Sequence, residues 1–197
     1  MNFTLPNPTG IDYWLQKFQL RLYPYLKTTW NVDDASYNCF GRVYRNNTKD
    51  GYVPEFYDPT QQCYVSSGGA NTSGGLYWQD NLAAMSFFGL AESDKVVSGQ
   101  TEARIQLMFF VNLDKITPAG ITNAQGQRLD EVAINDIQNF IQLNGCGLVV
   151  TARYKDVDKV LERYSGEVKK DALKRDMHPN FCFRIDATLH YNTNLNK

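Results

Sequence analysis

Residues able to move protons, attack a carbonyl or hold a metal are few in this chain and far apart. There are two histidines, His178 and His190. His178 precedes a proline in a charged stretch, and His190 alternates with apolar residues. Neither has a second His, Cys or acid at ligand spacing. The four cysteines, Cys39, Cys63, Cys146 and Cys182, are widely spaced among apolar neighbours. That pattern reads as reduced, buried small side chains rather than a disulfide frame or a zinc site. Ser66 and Ser67 stand beside glycines, but the Gly-x-Ser-x-Gly turn of a serine nucleophile is missing. The pairs Gly68-Gly69 and Gly74-Gly75 would let backbone approach a phosphate, yet the Lys-Ser/Thr that completes a P-loop does not follow. Glu92, Asp94 and Asp114 flank one apolar segment, where they could pair or bind a cation. Acids at strand ends are commonplace, and nothing in the sequence sets their separation. The expectation is a chain with no catalytic, cofactor-binding or metal-binding residue, and so no enzyme.

Composition narrows the partners. The net charge is −1 over 197 residues, which argues against a dedicated binder of nucleic acid or anionic membrane, since either needs a basic surplus. The stretch Lys169-Lys170-Asp171-Ala172-Leu173-Lys174-Arg175 is locally basic, but interspersed acids and apolar residues at helical spacing make it a solvated helix face. No secretory signal opens the chain and no apolar run reaches membrane-spanning length, so synthesis in the cytoplasm is expected. The glycosylation pattern at Asn46-Asn47-Thr48 and Asn71-Thr72-Ser73 then carries no meaning. Twelve tyrosines and eleven phenylalanines suit either an interface or a tyrosine-rich sheet.

These residues must be positioned by elements that the apolar pattern specifies. From Thr101 to Asp114, Ala103, Ile105, Leu107, Phe109 and Val111 fall on one face of a strand, opposite Glu102, Arg104 and Gln106. At Met108-Phe109-Phe110-Val111 both faces turn apolar, which marks a central strand covered by other elements. Upstream, Thr9 to Asp12 reads as an N-cap, followed by a helix with Ile11, Trp14, Leu15, Phe18 and Leu22 inward. Gln16, Lys17, Gln19 and Arg21 face away, and Pro24 ends or kinks the helix. Tyr37 to Arg45 reads as a strand, Asn46 to Gly51 as its turn and Tyr52 to Tyr57 as a partner that Pro54 pushes toward an edge. Cys63 to Ser66 fits a further short strand, and Leu82 to Leu90 another.

Asp130 is the expected cap of a second helix, with Val132, Ala133, Ile137, Phe140 and Ile141 inward and Asn144-Gly145 at its end. Leu148 to Tyr154 is a β-branched strand, and Asp156 opens a short helix with Val157, Val160, Leu161 and Tyr164 on one face. After Pro179 the last strand runs from Phe181 to Tyr191. One α+β domain over residues 1–197 follows, with an antiparallel or mixed sheet, helices on one side and excursions at about 58–80 and 165–179.

Three segments carry a resemblance: the opening helix with Trp14, Leu15 and Leu26-Lys-Thr-Thr-Trp30, the strand Gln106 to Leu113, and the helix Asp130 to Leu143 leading into Gly147 to Tyr154. Their order resembles the tail-terminator and tail-completion proteins at the head–tail junction of tailed bacteriophages. The segments Arg42-Val-Tyr-Arg-Asn and Gly51-Tyr-Val-Pro-Glu-Phe-Tyr-Asp58 are also similar to ring or connector proteins of crAss-like phages of gut bacteria. The resemblance implies a tail-terminator-like fold and a non-enzymatic virion subunit, made in the host bacterial cytoplasm. It further implies a homo-oligomeric ring of about six or twelve copies, contacting portal, neighbouring ring or tail proteins, through which DNA passes without sequence-specific binding and without a membrane. Exposed edges beside Pro54 or the last strand would pair with an adjacent subunit. A monomeric protein-binding module with a tyrosine-rich face, or a small-ligand enzyme using Glu92 and Asp114, are the alternatives.

Overall fold

In the computed structural model, the described residues are 1–48, 51–66, 81–91, 95–97, 100–117, 128–144, 147–164 and 178–192. The segments holding Glu92, Asp94, Cys146, the paired glycines, most of the 58–80 excursion and residues 165–177 lie outside them. The architecture is α+β, built on a mixed sheet. Its strands are β1 (Asn2–Phe3), β2 (Tyr37–Arg42), β6 (Ala84–Leu90), β8 (Gln100–Asn112), β10 (Asn180–Tyr191) and β9 (Leu148–Tyr154), in that spatial order. A short β7 (Lys95–Val97) pairs with the start of β8. β1–β2 and β2–β6 are parallel; the pairs from β6 to β9 are antiparallel. A second, antiparallel sheet has the order β3 (Tyr44–Thr48), β4 (Gly51–Asp58), β5 (Cys63–Ser66).

β8 is central, as its pattern requires. It pairs with β6 on one edge and with β10 along twelve residues on the other. Its two faces feed two cores. Ile105, Leu107, Phe109 and Val111 join Phe183, Ile185, Ala187 and Leu189 of β10 beneath α1 (Ile11–Thr29) and α2 (Leu129–Asn144). Phe109 stacks on Phe183 at 4.9 Å between centroids and meets the edge of Trp30 at 6.5 Å. On the opposite face, Met108, Phe110 and Cys182 pack with Val157, Val160, Leu161 and Tyr164 of α3 (Val157–Val160) and its extension, with Val43 between the two sheets, and with Phe56 of the small sheet. Helices on one side therefore describes α1 and α2 only; α3 covers the other face.

Local details depart from the sequence pattern for physical reasons. α1 runs through Pro24 to Thr29, because Leu22, Leu26 and Trp30 keep the buried stripe going beyond an exposed proline. Its N-cap is Gly10, with φ 55°, and no side chain caps it. Gln16 and Gln19 are not outward. Gln16 exchanges hydrogen bonds with the backbone of Leu5, and the fully buried Gln19 donates to Asn2 Oδ1, Phe3 O and Cys39 O at 2.7–3.0 Å. The N-terminal strand is thus tied to α1 by amides rather than by apolar contact. Asp130 lies inside the first turn of α2, after Leu129, and pairs with exposed Arg128; Ile134 is buried there, whereas Val132 is half-exposed.

The segment Tyr37 to Arg45 is two strands in two sheets, broken at Val43, whose side chain turns into the second core. β4 is the middle strand of its sheet, not an edge. Pro54 lies one residue past the last described β4–β5 pair, Glu55↔Ser66, so its missing N–H removes no described ladder bond on that side. The last strand, β10, pairs with β8 along its whole length and with β9 from Arg184 to Leu189, so its middle is interior to the sheet. Cys39 and Cys182 are buried, but Cys63 is exposed. Burial pushes the Cys39 thiol up to about 11.

Two stability outcomes follow. Phe109 is 1% exposed between two aromatic neighbours, so Phe109→Ala should cost about 3–5 kcal/mol in urea unfolding; a loss under about 1 kcal/mol would place it outside the core. The half-buried Asp136 accepts from Trp30 Nε1 at 2.9 Å, and burial raises its carboxyl above 3.8. A raised acid binds its proton more tightly when folded, so the wild-type chain gains stability as pH falls through that native value toward 3.8. Asp136→Asn keeps an acceptor for Trp30 and lacks this gain. Its advantage in urea midpoint should be largest at neutral pH and shrink on acidification.

Candidate functional site

The described candidates for chemistry, His178, His190 and Asp114, do not converge. Among the described residues, no group of three His, Cys, Asp or Glu could hold a metal ion. His178 and His190 are both exposed, and Asp114 is an exposed turn residue whose N–H donates to Asn112 Oδ1 at 3.0 Å. What the fold does assemble is arginine. Where the chain leaves the main sheet at Val43 and enters the small one, Arg42 and Arg45 flank a cleft of about 220 Å³. Val43, Tyr44, Gly89, Leu90, Gln106, Arg163 and Tyr164 complete it.

The strand register explains the floor. Gly89 of β6 pairs with Gln106 of β8, on the face that carries Met108 and Phe110. A Cβ on Gly89 would stand 2.9 Å from Met108 Cε and 3.6 Å from Gln106 Oε1, so the glycine both admits the methionine and opens the space above. Gln106 is 2% exposed, and its amide donates to Asp186, its partner across β10. The walls come from both sheets' margin and from the segment after α3, whose cap is Asp156 accepting from the Asp158 N–H at 2.9 Å.

Neighbouring acids are already engaged. Asp12 accepts from Tyr44 Oη at 2.7 Å and lies 3.5 Å from Arg42 Nη1, while the Arg42 guanidinium sits 4.2 Å over the Tyr44 ring. Beneath the cleft, the fully buried Arg184 donates to the α3 carbonyls of Lys159 at 2.6 Å and Val160 at 3.4 Å. Its Nη2 reaches Glu162 at 3.1 Å and its plane covers the Tyr154 ring at 4.2 Å. Arg184 Nε lies 2.8 Å from Asp186 Oδ1, an ion-pair contact whose angle falls outside hydrogen-bond geometry. Burial outweighs this cation, so the Asp186 carboxyl stays above its ordinary value. Burial also raises the Tyr164 hydroxyl, with Arg45 opposing it.

Two further surfaces stand out. Tyr44, Tyr57 and Tyr64 form an edge-to-face row on the outer side of the small sheet, with centroid spacings of 5.3 and 5.6 Å. At the far margin of the main sheet, β9 pairs among the described residues with β10 alone. A bulge at Thr151, whose hydroxyl donates to Asp186 O at 3.1 Å, reverses the facing of its second half. Val149 is 56% exposed on β9, and Leu143 is 80% exposed in the last turn of α2.

Sequence reading did not find the cleft, since Arg42, Arg45 and Arg163 belong to no motif. The closest signal was the Arg-Val-Tyr-Arg spacing, which becomes informative only once Val43 is known to break the strand. No family model matches the chain, and no curated protein or solved structure matches it.

Arg184 anchors α3 under the cleft. Arg184→Met removes two helix-terminal hydrogen bonds and leaves Asp186 without its cation, and should cost about 2–4 kcal/mol. Adding Asp186→Leu should recover part of that in a double-mutant cycle; full additivity would show that the pair does not interact.

Proposed function

We propose that the chain is a structural subunit of a tailed-phage virion, which assembles side by side into a closed ring at the head–tail connector or tail. The observation that carries this reading is the β9 margin. It offers seven residues of strand backbone unpaired on one side among the described residues, with apolar Val149 and Leu143 exposed beside it. An edge of this kind is a template for a neighbouring chain, and monomeric proteins normally blunt it. The opposite margin ends in a strand of two residues, so the two margins differ. Pairing of unlike edges is the head-to-tail contact that closes into a ring when the rotation allows. A net charge of −1 suits a conduit that DNA must slide through, because strong phosphate contacts would hold it. The mixed α+β sheet is compatible with the tail-terminator order that the sequence resembles. The tyrosine row at Tyr44, Tyr57 and Tyr64 favours a second reading, a module that binds one partner protein and stays monomeric.

Light scattering after size exclusion, with negative-stain imaging, separates the two. The wild-type chain should form a ring of one defined size, and Leu143→Lys with Val149→Lys should leave a folded monomer. A wild-type chain that stays monomeric at every concentration and shows no ring on a grid refutes the assembly reading.

A further inference from the structure

We propose that Arg184, Asp186 and Glu162 form a proton-operated clamp: when Asp186 takes up a proton, the Arg184 guanidinium passes from β10 to the segment after α3. This goes beyond the assembly reading and does not depend on it. The geometry is two carboxylates on one buried guanidinium. Arg184 is 2% exposed. Its Nη2 donates to Asp186 Oδ2 at 3.3 Å and lies 3.1 Å from Glu162 Oε1, so one nitrogen serves both acids. Its Nη1 donates to the carbonyls of Lys159 and Val160, and these bonds involve neither acid. The cation therefore keeps its grip on α3 whichever carboxylate neutralises it.

The two acids are not equivalent. Asp186 is half-buried, and its bond from the guanidinium is the long one. Its Oδ1 sits 2.8 Å from Arg184 Nε at an angle too poor for a hydrogen bond, and that oxygen is buried. Glu162 is more open to water, with 40% of its side chain exposed against 21% for Asp186. The anion with less water protonates first, and a second anion on the same cation drives it further that way. Burial accordingly holds the Asp186 carboxyl above 3.8; Arg184 and the Gln106 amide of β8 oppose this, and Glu162 adds to it. The other charged and titratable groups on the elements packed here are Glu102 and Arg104 on the same face of β8, Tyr154 of β9 under the guanidinium, His190 of β10, and Lys159 and Arg163 near Glu162. A raised native value means that the fold binds this proton more tightly than the unfolded chain does. Stability therefore rises as pH falls through the native value, and the gain is complete below 3.8. Neutral Asp186 no longer competes for Nη2, and Glu162 becomes the counter-ion.

The test is an NMR titration of isotope-labelled aspartate carboxyls in the full chain, with the Tyr154 ring and the Lys159 to Leu161 amides followed alongside. Asp186 should titrate above 3.8, and the ring and amide signals should move with the same midpoint. Glu162→Gln removes the second anion from an exposed position and should lower that midpoint by about half a pH unit or more. Asp186→Asn, which copies the neutral form, should hold the ring and amide signals at their acid-form positions at every pH. Should that variant fail to fold, Glu162→Gln alone gives the reading. An Asp186 midpoint at or below 3.8 overturns the proposal. So does a midpoint unchanged in Glu162→Gln, or ring and amide signals that ignore the Asp186 titration in the wild-type chain.

Discussion

The structure depends on one strand that has no free surface. Between Met108 and Val111, β8 is paired on both edges and buried on both faces. A backbone in that position can satisfy its N–H and C=O groups only through neighbouring strands. Its side chains on both faces must be covered as well, or the burial that holds the sheet together is lost. One cover is the amphipathic pair α1 and α2. The other is composite, because α3 is a single turn and cannot shield Phe110, Met108 and Cys182 alone. Val43, at the crossing between the sheets, and Phe56 of the small sheet supply the rest. The need to cover a second face thus explains why the chain breaks out of the main sheet at Val43.

That exit has an electrostatic consequence. Turning Val43 inward leaves Arg42 and Arg45 on either side of the crossing, where the two sheets part. Burying them would require partners for both, as Arg184 has in Asp186, Glu162 and two helix carbonyls. The fold separates its arginines into two kinds. Arg184 is consumed in holding α3 to β10, and its neighbouring acids are consumed with it. The cleft arginines stand instead where the two sheets part, with Arg42 stacked on Tyr44 and paired with Asp12 of α1.

Much of this was legible in the sequence where a period was long and unambiguous. The alternation and then continuity of β8, the β-branched run of β9, the Asp156 cap and the alternation of β10 all specify what forms. Errors fell where a single residue type was given too much weight. Pro24 did not stop α1, since the buried stripe continued past it. Pro54 did not make an edge, since β4 is the middle strand of its sheet and no described β4–β5 pair falls on the proline. Gln19 looks outward by polarity, yet its Nε2 finds three acceptors inside, which hold the buried amide although its Oε1 has no partner among the described residues. The cleft was illegible for a different reason. Its residues come from β2, β3, β6, β8 and the end of α3, and no local pattern reports that they meet.

The two candidate surfaces are mechanically separable, and the sheet order says why. The cleft lies over β6 and β8, whereas β9 is two strands beyond β8. At about 4.8 Å per strand, the β9 edge stands roughly 10 Å from β8 across a well-packed β10. Sites that far apart with no shared partner behave nearly independently. Arg184 and Asp186 bridge them. Arg184 stacks on Tyr154 of β9 while it holds the α3 segment that leads to Arg163 and Tyr164. Asp186 takes the Gln106 amide at the cleft floor, pairs with Arg184, and offers its carbonyl to the Thr151 bulge on β9. Its backbone fixes the bulge while its carboxylate answers to the floor.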